Sequence, residues 1–273
     1  MTSTIKLSAP DRGGFWEIPV LFEDEHLLAL DKPAELLVSP DRYDPSRPSL
    51  MTLLHAGIAA AKPWAAQRGL AYLMNAHRLG AGTSGVILLA KNKPALISLA
   101  NLFGGEKPLK RYVALVRSVP SDAAFESDAR LAPHPTRPQL MRVDPRRGKR
   151  SLTRFTVLEK FHDYTLLQCE PRTGRTHQIR VHLRHLGFPI VGDALYGGNP
   201  LYLSRLKSNY RPKDDEPERP LMGRVALHAE FLSFDHPVSG HELTIRAPWP
   251  KDFNVALKYL RKFAPSIPEP PGA

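Results

Sequence analysis

Residues Thr173–Gly197 read TGRTHQIRVHLRHLGFPIVGDALYG. Thr176–Leu186 has the spacing of a helix. Ile179, Leu183 and Leu186 fall on one side of it, while His177, Arg180 and Arg184 fall on another. Gly187 is a suitable stop, and Pro189 prevents continuation. The turn and helix together deliver Arg175, Arg180 and Arg184, with His177 and His182. Guanidinium groups grip phosphate or carboxylate in a fixed fork, and a helix N-terminus adds partial positive charge. Because these arginines share one short segment with Gly174, Thr176 and Gln178, an anion-binding turn and helix is expected rather than a plain solvated face. A metal site built from His177, His182 and His185 is not expected. Their spacing does not put all three on one helical face, and no cysteine or evident carboxylate completes a ligand set.

Working outward, Thr153–Leu158 and Tyr164–Glu170 read as strands before this helix, and Ala226–Phe234 and Glu242–Ala247 as strands after it. A last helix is expected at Val255–Phe263. Further upstream, Val20-Leu21-Phe22 and Leu27–Leu30 are apolar runs split by Glu23-Asp24-Glu25, the pattern of a strand pair around a turn. Lys32-Pro33 ends the second strand, 41–48 is a loop, and Leu50–Ala61 has helical character. Val86–Ala90 (VILLA) is a buried strand by composition, and Lys93-Pro94 opens a helix carrying Leu96, Leu99 and Phe103. Lys110–Val116 alternates, with Tyr112, Ala114 and Val116 on one face. Residues 120–150 are irregular. Arg142, Arg146, Arg147, Lys149, Arg150 and Arg154 make the following stretch strongly basic, which suits contact with phosphates. Strands and helices are mixed without steady βαβ alternation, so the fold class is α+β. The organisation expected is a loose lead-in over 1–16, one domain over 17–264 with a surface excursion at SNYRPKDDEPERP (208–220), and a proline-rich tail over 265–273.

The 273 residues carry a formal net charge of +11, an excess that favours a polyanionic partner, most often nucleic acid. No apolar run approaches the ~18 residues of a membrane-spanning helix, and the N-terminus lacks a secretory pattern. The single cysteine, Cys169, excludes an internal disulfide framework and a multi-cysteine zinc site, and a reducing cytoplasm is the expected location.

Thr173–Gly197 closely resembles the GRTHQIRVH…G.P..GD..YG block of RluA-type RNA pseudouridine synthases. His77–Ala90 (HRLGAGTSGVILLA) resembles the family's HRLD..TSG block, Val20–Pro40 its opening strand pair, and Lys110–Val116 its K.Y.ALV strand. Leu227-His228-Ala229, His236-Pro237 and Ala247-Pro248 resemble its closing signatures. The first strand pair begins almost at once, so no S4-like RNA-binding domain is expected ahead of it. The resemblance implies a mixed, mainly antiparallel sheet flanked by helices with a central RNA-binding cleft. It implies isomerisation of uridine to pseudouridine in structured rRNA or tRNA by base flipping, with no cofactor, no metal and no obligate protein partner. By resemblance, Tyr112 packs against the uracil and Arg180 pairs with the catalytic aspartate. His77, Arg78, Thr83, Ser84, Arg175, His177, Gln178, Arg147, Lys149 and Arg150 are carried over as RNA-binding.

The aspartate position is Gly80, which has no side chain to act as nucleophile, base or ion-pair partner. Two expectations follow: impaired isomerisation, and an Arg180 that has lost its carboxylate. Gly80–Gly85 also matches GxGxxG, but the strand VILLA follows it where a dinucleotide site needs a helix, so no nucleotide cofactor is expected there.

Overall fold

The computed structural model describes residues 3–210 and 217–266. The chain divides into two compact units, one of residues 1–110 and 229–248, the other of 111–228 and 249–273. The first unit is therefore discontinuous in sequence.

In the first unit, β1 (Thr4–Ala9) pairs antiparallel with β2 (Gly14–Glu23), and β2 with β3 (Leu27–Lys32). Helices α1 (Leu50–Ala59) and α2 (Pro63–Ala66) follow. The short β4 (Met74–Asn75) and β3 both pair with β5 (Ser84–Ala90), and α3 (Lys93–Gly104) comes next. On its return the chain supplies β12 (Leu227–Asp235, from Ala229 onward) beside β5, and β13 (Glu242–Arg246) antiparallel to β12. All seven residues of β5 are buried, the signature of a central strand covered on both faces. Its Val86, Leu88 and Ala90 pack with Leu27, Ala29, Leu99, Phe234 and Ile245. The Asn92 side chain accepts the Ala95 N–H and Pro94 sits in the first turn, which together start α3 where its sequence predicts.

Of the loose lead-in expected at 1–16, residues 1–2 lie outside the described residues, and residues 4–16 hold β1, a short helical turn and the beginning of β2. Ile5 and Leu7 are buried while Thr4, Lys6 and Ser8 are exposed, a period-2 alternation that pairs with β2 in register from Thr4↔Pro19 to Ala9↔Gly14.

In the second unit, β6 (Leu109–Arg117, whose first two residues belong to the first unit), β11 (Tyr164–Pro171), β10 (Thr153–Lys160) and β7 (Ala124–Ser127) form an antiparallel sheet in that order. Helices α4 (Gln178–His185) and α5 (Lys251–Phe263) belong to this unit. Leu115, Leu167, Ile179, Leu183, Phe253 and Leu257 are in its core. The stretch 120–150 is not wholly irregular: besides β7 it holds a small hairpin of β8 (Leu131–Pro133) and β9 (Met141–Val143). These strands are too short and too rich in proline and charge for periodicity to reveal. Of the expected excursion, 211–216 lie outside the described residues, and Glu218 accepts the Ser204 N–H. Of the expected tail, 267–273 lie outside them, and Pro265 bridges to Phe161.

Candidate functional site

The residues singled out from sequence fall into two groups, one in each unit. In the first unit they lie on the approach to β5. The Thr83 N–H donates to the Gly80 carbonyl at 3.0 Å, closing a tight turn. The turn is anchored from below by Lys32, fully buried, whose ammonium donates to the carbonyls of Pro33 (2.6 Å), Leu36 (2.7 Å) and Ala81 (3.3 Å). The Glu35 N–H also reaches the Ala81 carbonyl at 2.8 Å. Gly80 lies outside the left-handed region, and a Cβ built on it would find the Thr83 hydroxyl nearest, 3.6 Å away. Neither conformation nor space requires glycine there. Gly85 is the opposite case, with φ +110 and a would-be Cβ 2.2 Å from the Ala229 carbonyl oxygen, so the last glycine of GAGTSG is obligatory.

Arg78 is exposed and available to a polyanion. His77 is not. Its Nε2 accepts the Leu88 N–H at 3.1 Å, and its ring stacks on Phe103 with centroids 4.8 Å apart. Burial, aided by the Lys110 charge, pushes its pKa down to about 3, which keeps Nε2 an acceptor. Thr83 and Ser84 are each 4% exposed. These three residues, expected to touch RNA, instead fix the turn to β5.

In the second unit the structure corrects one expectation, that Arg180 lacks a carboxylate. Every residue of α4 from Gln178 to Leu183 is buried, so the helix has no solvated basic face there. Arg180, 7% exposed, has not lost its carboxylate. It donates through Nε to Asp193 Oδ2 at 2.7 Å and through Nη2 to Asp193 Oδ1 at 2.6 Å. Such a bidentate fork is the geometry in which a buried pair holds best. The Arg180 guanidinium also lies over the Tyr196 ring, 4.8 Å from its centroid. The Tyr196 hydroxyl is hydrogen-bonded to His177 Nδ1 at 2.8 Å and accepts the Met141 N–H at 3.0 Å, tying β9 to this centre. His177 precedes α4 in a left-handed conformation, φ 53. Burial, reinforced by Arg180, lowers its pKa to about 4, so the positive charge of this centre resides on Arg180.

Gln178, also expected at the RNA surface, is buried and spent internally. Its carbonyl oxygen accepts the Thr173 hydroxyl (2.6 Å) and the Arg175 N–H (3.0 Å), and its amide donates to the Leu152 carbonyl and the Thr153 hydroxyl oxygen, both at 2.9 Å. His182 bonds Thr153 Oγ1 and the Ala129 carbonyl, each at 2.9 Å. Among the described residues, no group of three His, Cys, Asp or Glu side chains is placed to hold a metal ion.

The basic stretch divides differently. Arg147, Lys149 and Arg150 are exposed. Asp144 shapes their loop, accepting N–H bonds from Arg146 (3.1 Å) and Arg147 (2.9 Å) and a guanidinium bond from Arg142 (2.8 Å). The bond to the Arg147 N–H leads the causes that hold its carboxyl below the usual range. Lys149 exchanges backbone bonds with Leu131, and Arg175 Nε donates to the Arg150 carbonyl at 3.0 Å. The loop is thus a shaped cationic surface. Tyr112, on β6 opposite Cys169, is half-buried, and burial pushes its phenol up to about 12; it stays neutral as a packing surface.

The RNA pseudouridylate synthase family model matches residues 26–185, which include the Gly80 turn, Tyr112 and α4. This chain belongs to that family. Ribosomal large subunit pseudouridine synthase D of Xylella fastidiosa is 38% identical over 250 residues, covering 90% of this chain and 70% of its own length. The protein of the same name in Haemophilus ducreyi is 33% identical over 247 residues, covering 89% and 70%. Among solved structures, human RNA pseudouridylate synthase domain containing 4 superposes with a TM-score of 0.70 at 24% identity, over 89% of this chain and 92% of that one. That likeness bears on the α+β fold.

Within this family member, sequence reasoning missed three parts of the site. Asp193 was visible as the acid of a Gly-Asp step, but its pairing with Arg180 depends on a turn that brings together residues 13 apart in sequence. The Tyr196–His177 bond had no periodic signal at all. Lys32 was legible only as the end of a strand, and its carbonyl clamp on the Gly80 turn is a long-range contact.

Proposed function

We propose that this protein binds structured RNA, flips one uridine out of its stack and isomerises it to pseudouridine. The observation that carries this reading is the buried Arg180–Asp193 fork under Tyr196, which joins the family's HQIR and GD blocks in one rigid, charge-paired centre. With Asp193 occupying Nε and Nη2, the remaining N–H groups of Arg180 stay free to engage a further anion. Tyr112 offers a neutral ring to the uracil. Arg78, Arg147, Lys149 and Arg150 hold backbone phosphates, and Arg175 braces their loop. Ribosomal RNA is the preferred substrate, on the strength of what the Xylella and Haemophilus relatives are named for; transfer RNA is the other. The reaction needs no cofactor and no protein partner, and takes place in the cytoplasm, where both RNAs occur.

A second reading is favoured by Gly80. Position 80 supplies no carboxylate, and Asp193 is committed to Arg180. On this reading the chain binds RNA as a family member whose isomerisation is impaired. Tritium release from 5-tritiated uridine in ribosomal RNA separates the two. Turnover by the unaltered chain that is abolished in Tyr112→Ala and Arg180→Ala upholds the first. Turnover confined to Gly80→Asp upholds the second. RNA that is neither bound nor modified by either protein overturns both.

A further inference from the structure

A cleft of about 290 Å³ opens in the second unit, lined by Arg117, Tyr164, Asn199, Tyr202 and Arg205 with the backbone of Gly197 and Gly198. Arg117 and Tyr164 face each other across β6 and β11. That end of the strand pair is held by the Ser118 N–H to the Asp163 carbonyl (2.7 Å) and the Thr165 hydroxyl to the Ser118 carbonyl (2.9 Å). On the other side, Tyr202 precedes the short helical turn Leu203–Arg205 and accepts the Arg205 N–H at 3.2 Å. A Cβ on Gly198 would lie 1.7 Å from the Ile190 carbonyl oxygen, so this wall is necessarily bare backbone. Arg117, Arg205 and Tyr164 line the same cleft; burial raises the pKa of the Tyr164 phenol, the two guanidinium charges oppose this, and Asp163 adds to it. No carboxylate is among the lining residues, and among the described residues neither guanidinium makes an ion pair.

Two guanidinium groups suit a phosphate, and two phenol rings in a concave site suit a nucleobase. The volume is at the small end of ligand clefts, room for one nucleotide rather than a helix. We propose that this cleft binds a single unpaired ribonucleotide, its base against Tyr164 or Tyr202 and its phosphate between Arg117 and Arg205. The nucleotide is either part of the RNA substrate, flanking the structured region, or a free mononucleotide. The first source rests on the RNA-binding reading above. Occupancy has a route to the Arg180 centre, because Gly198 and Tyr196 both donate their N–H to the Asp193 carbonyl, at 2.8 and 3.0 Å. The cleft wall and the carboxylate partner of Arg180 are parts of one turn.

The test compares an RNA hairpin carrying a single-stranded extension with the same hairpin cut flush, and titrates uridine 5′-monophosphate separately. Both probes are applied to the full chain and to Arg117→Ala/Arg205→Ala, two exposed positions. The extension should tighten binding by roughly fivefold or more, the effect of one stacked base. The double variant should lose that gain while binding the flush hairpin as before and melting at the same temperature. Mononucleotide binding lost in the variant, without an extension effect, supports the cleft with a free nucleotide as its source. Mononucleotide binding with no hairpin bound in either form keeps the cleft and overturns the RNA reading. An unaltered chain indifferent to the extension and to the mononucleotide overturns the cleft proposal, whatever the flush hairpin does.

Discussion

Gly80 sits in a turn that would accept a side chain. Its conformation is not left-handed, and the 3.6 Å to the Thr83 hydroxyl is an ordinary van der Waals separation. Gly80→Asp should therefore change stability by no more than about 0.5 kcal/mol. If the rest of the centre is intact, it should raise turnover by at least about 100-fold, the usual worth of a positioned acid–base group. Melting curves and tritium release check the two halves separately. Asp193 presents the reverse situation. Asp193→Asn leaves the Arg180 charge buried without its counterion and should cost about 3–5 kcal/mol. Adding Arg180→Met to that variant should recover part of the loss, which urea unfolding of the two singles and the double reveals as strong coupling. His77 and His177 yield a pH prediction. Both are depressed from 6.5, to about 3 and about 4. As pH falls, the unfolded chain takes up protons before the folded one does. The stability they contribute is thus complete above about pH 6.5 and is lost as pH drops toward their folded values. The slope is at most about 1.4 kcal/mol per pH unit per histidine. His77→Phe should flatten the stability profile between pH 6.5 and 4, and should also cost about 1–3 kcal/mol for the orphaned Leu88 N–H.

At the scale of elements, the loop leading out of the β8–β9 hairpin makes its contribution through charge and shape together. Replacing Arg147, Lys149 and Arg150 by alanine removes exposed side chains only, so the backbone bonds to Leu131 and Arg175 persist. The triple variant should fold normally, bind RNA more weakly and show a shallower salt dependence, by about one in logarithmic slope for each phosphate no longer neutralised. Filter binding at several salt concentrations measures this. The elements themselves were unequally legible in the sequence. β5 and α3 were readable because VILLA is uniformly apolar and Lys93-Pro94 marks a helix start. β1 was not, since Thr4, Lys6 and Ser8 mask the inward Ile5 and Leu7. The apolar side of α4 was legible, since Ile179 and Leu183 are in the core; the burial of Arg180 and His182 was not, because each is matched by partners from other segments. Of the site, the motif residues were legible from their types and spacing. What each one bonds was not, because those partners are set by tertiary structure.

At the scale of the whole molecule, the family resemblance seen in separate motifs extends from the Gly80 turn in one unit to α4 in the other. The net charge of +11 raises the encounter rate with any polyanion and makes association fall with ionic strength. The discontinuity of the first unit has a further result, for synthesis on the ribosome. Its central strand β5 emerges early, but the neighbouring β12 is not translated until residues 111–228 have followed. At ~5–20 residues per second that interval is on the order of ten seconds. Throughout it, the part of this mainly apolar strand that β4 does not pair has an open edge on the nascent chain, which makes this stretch a natural client for a holding chaperone. A nascent chain arrested after residue 228 should be cut by protease near β5, whereas one extended past Pro248 and clear of the exit tunnel should resist.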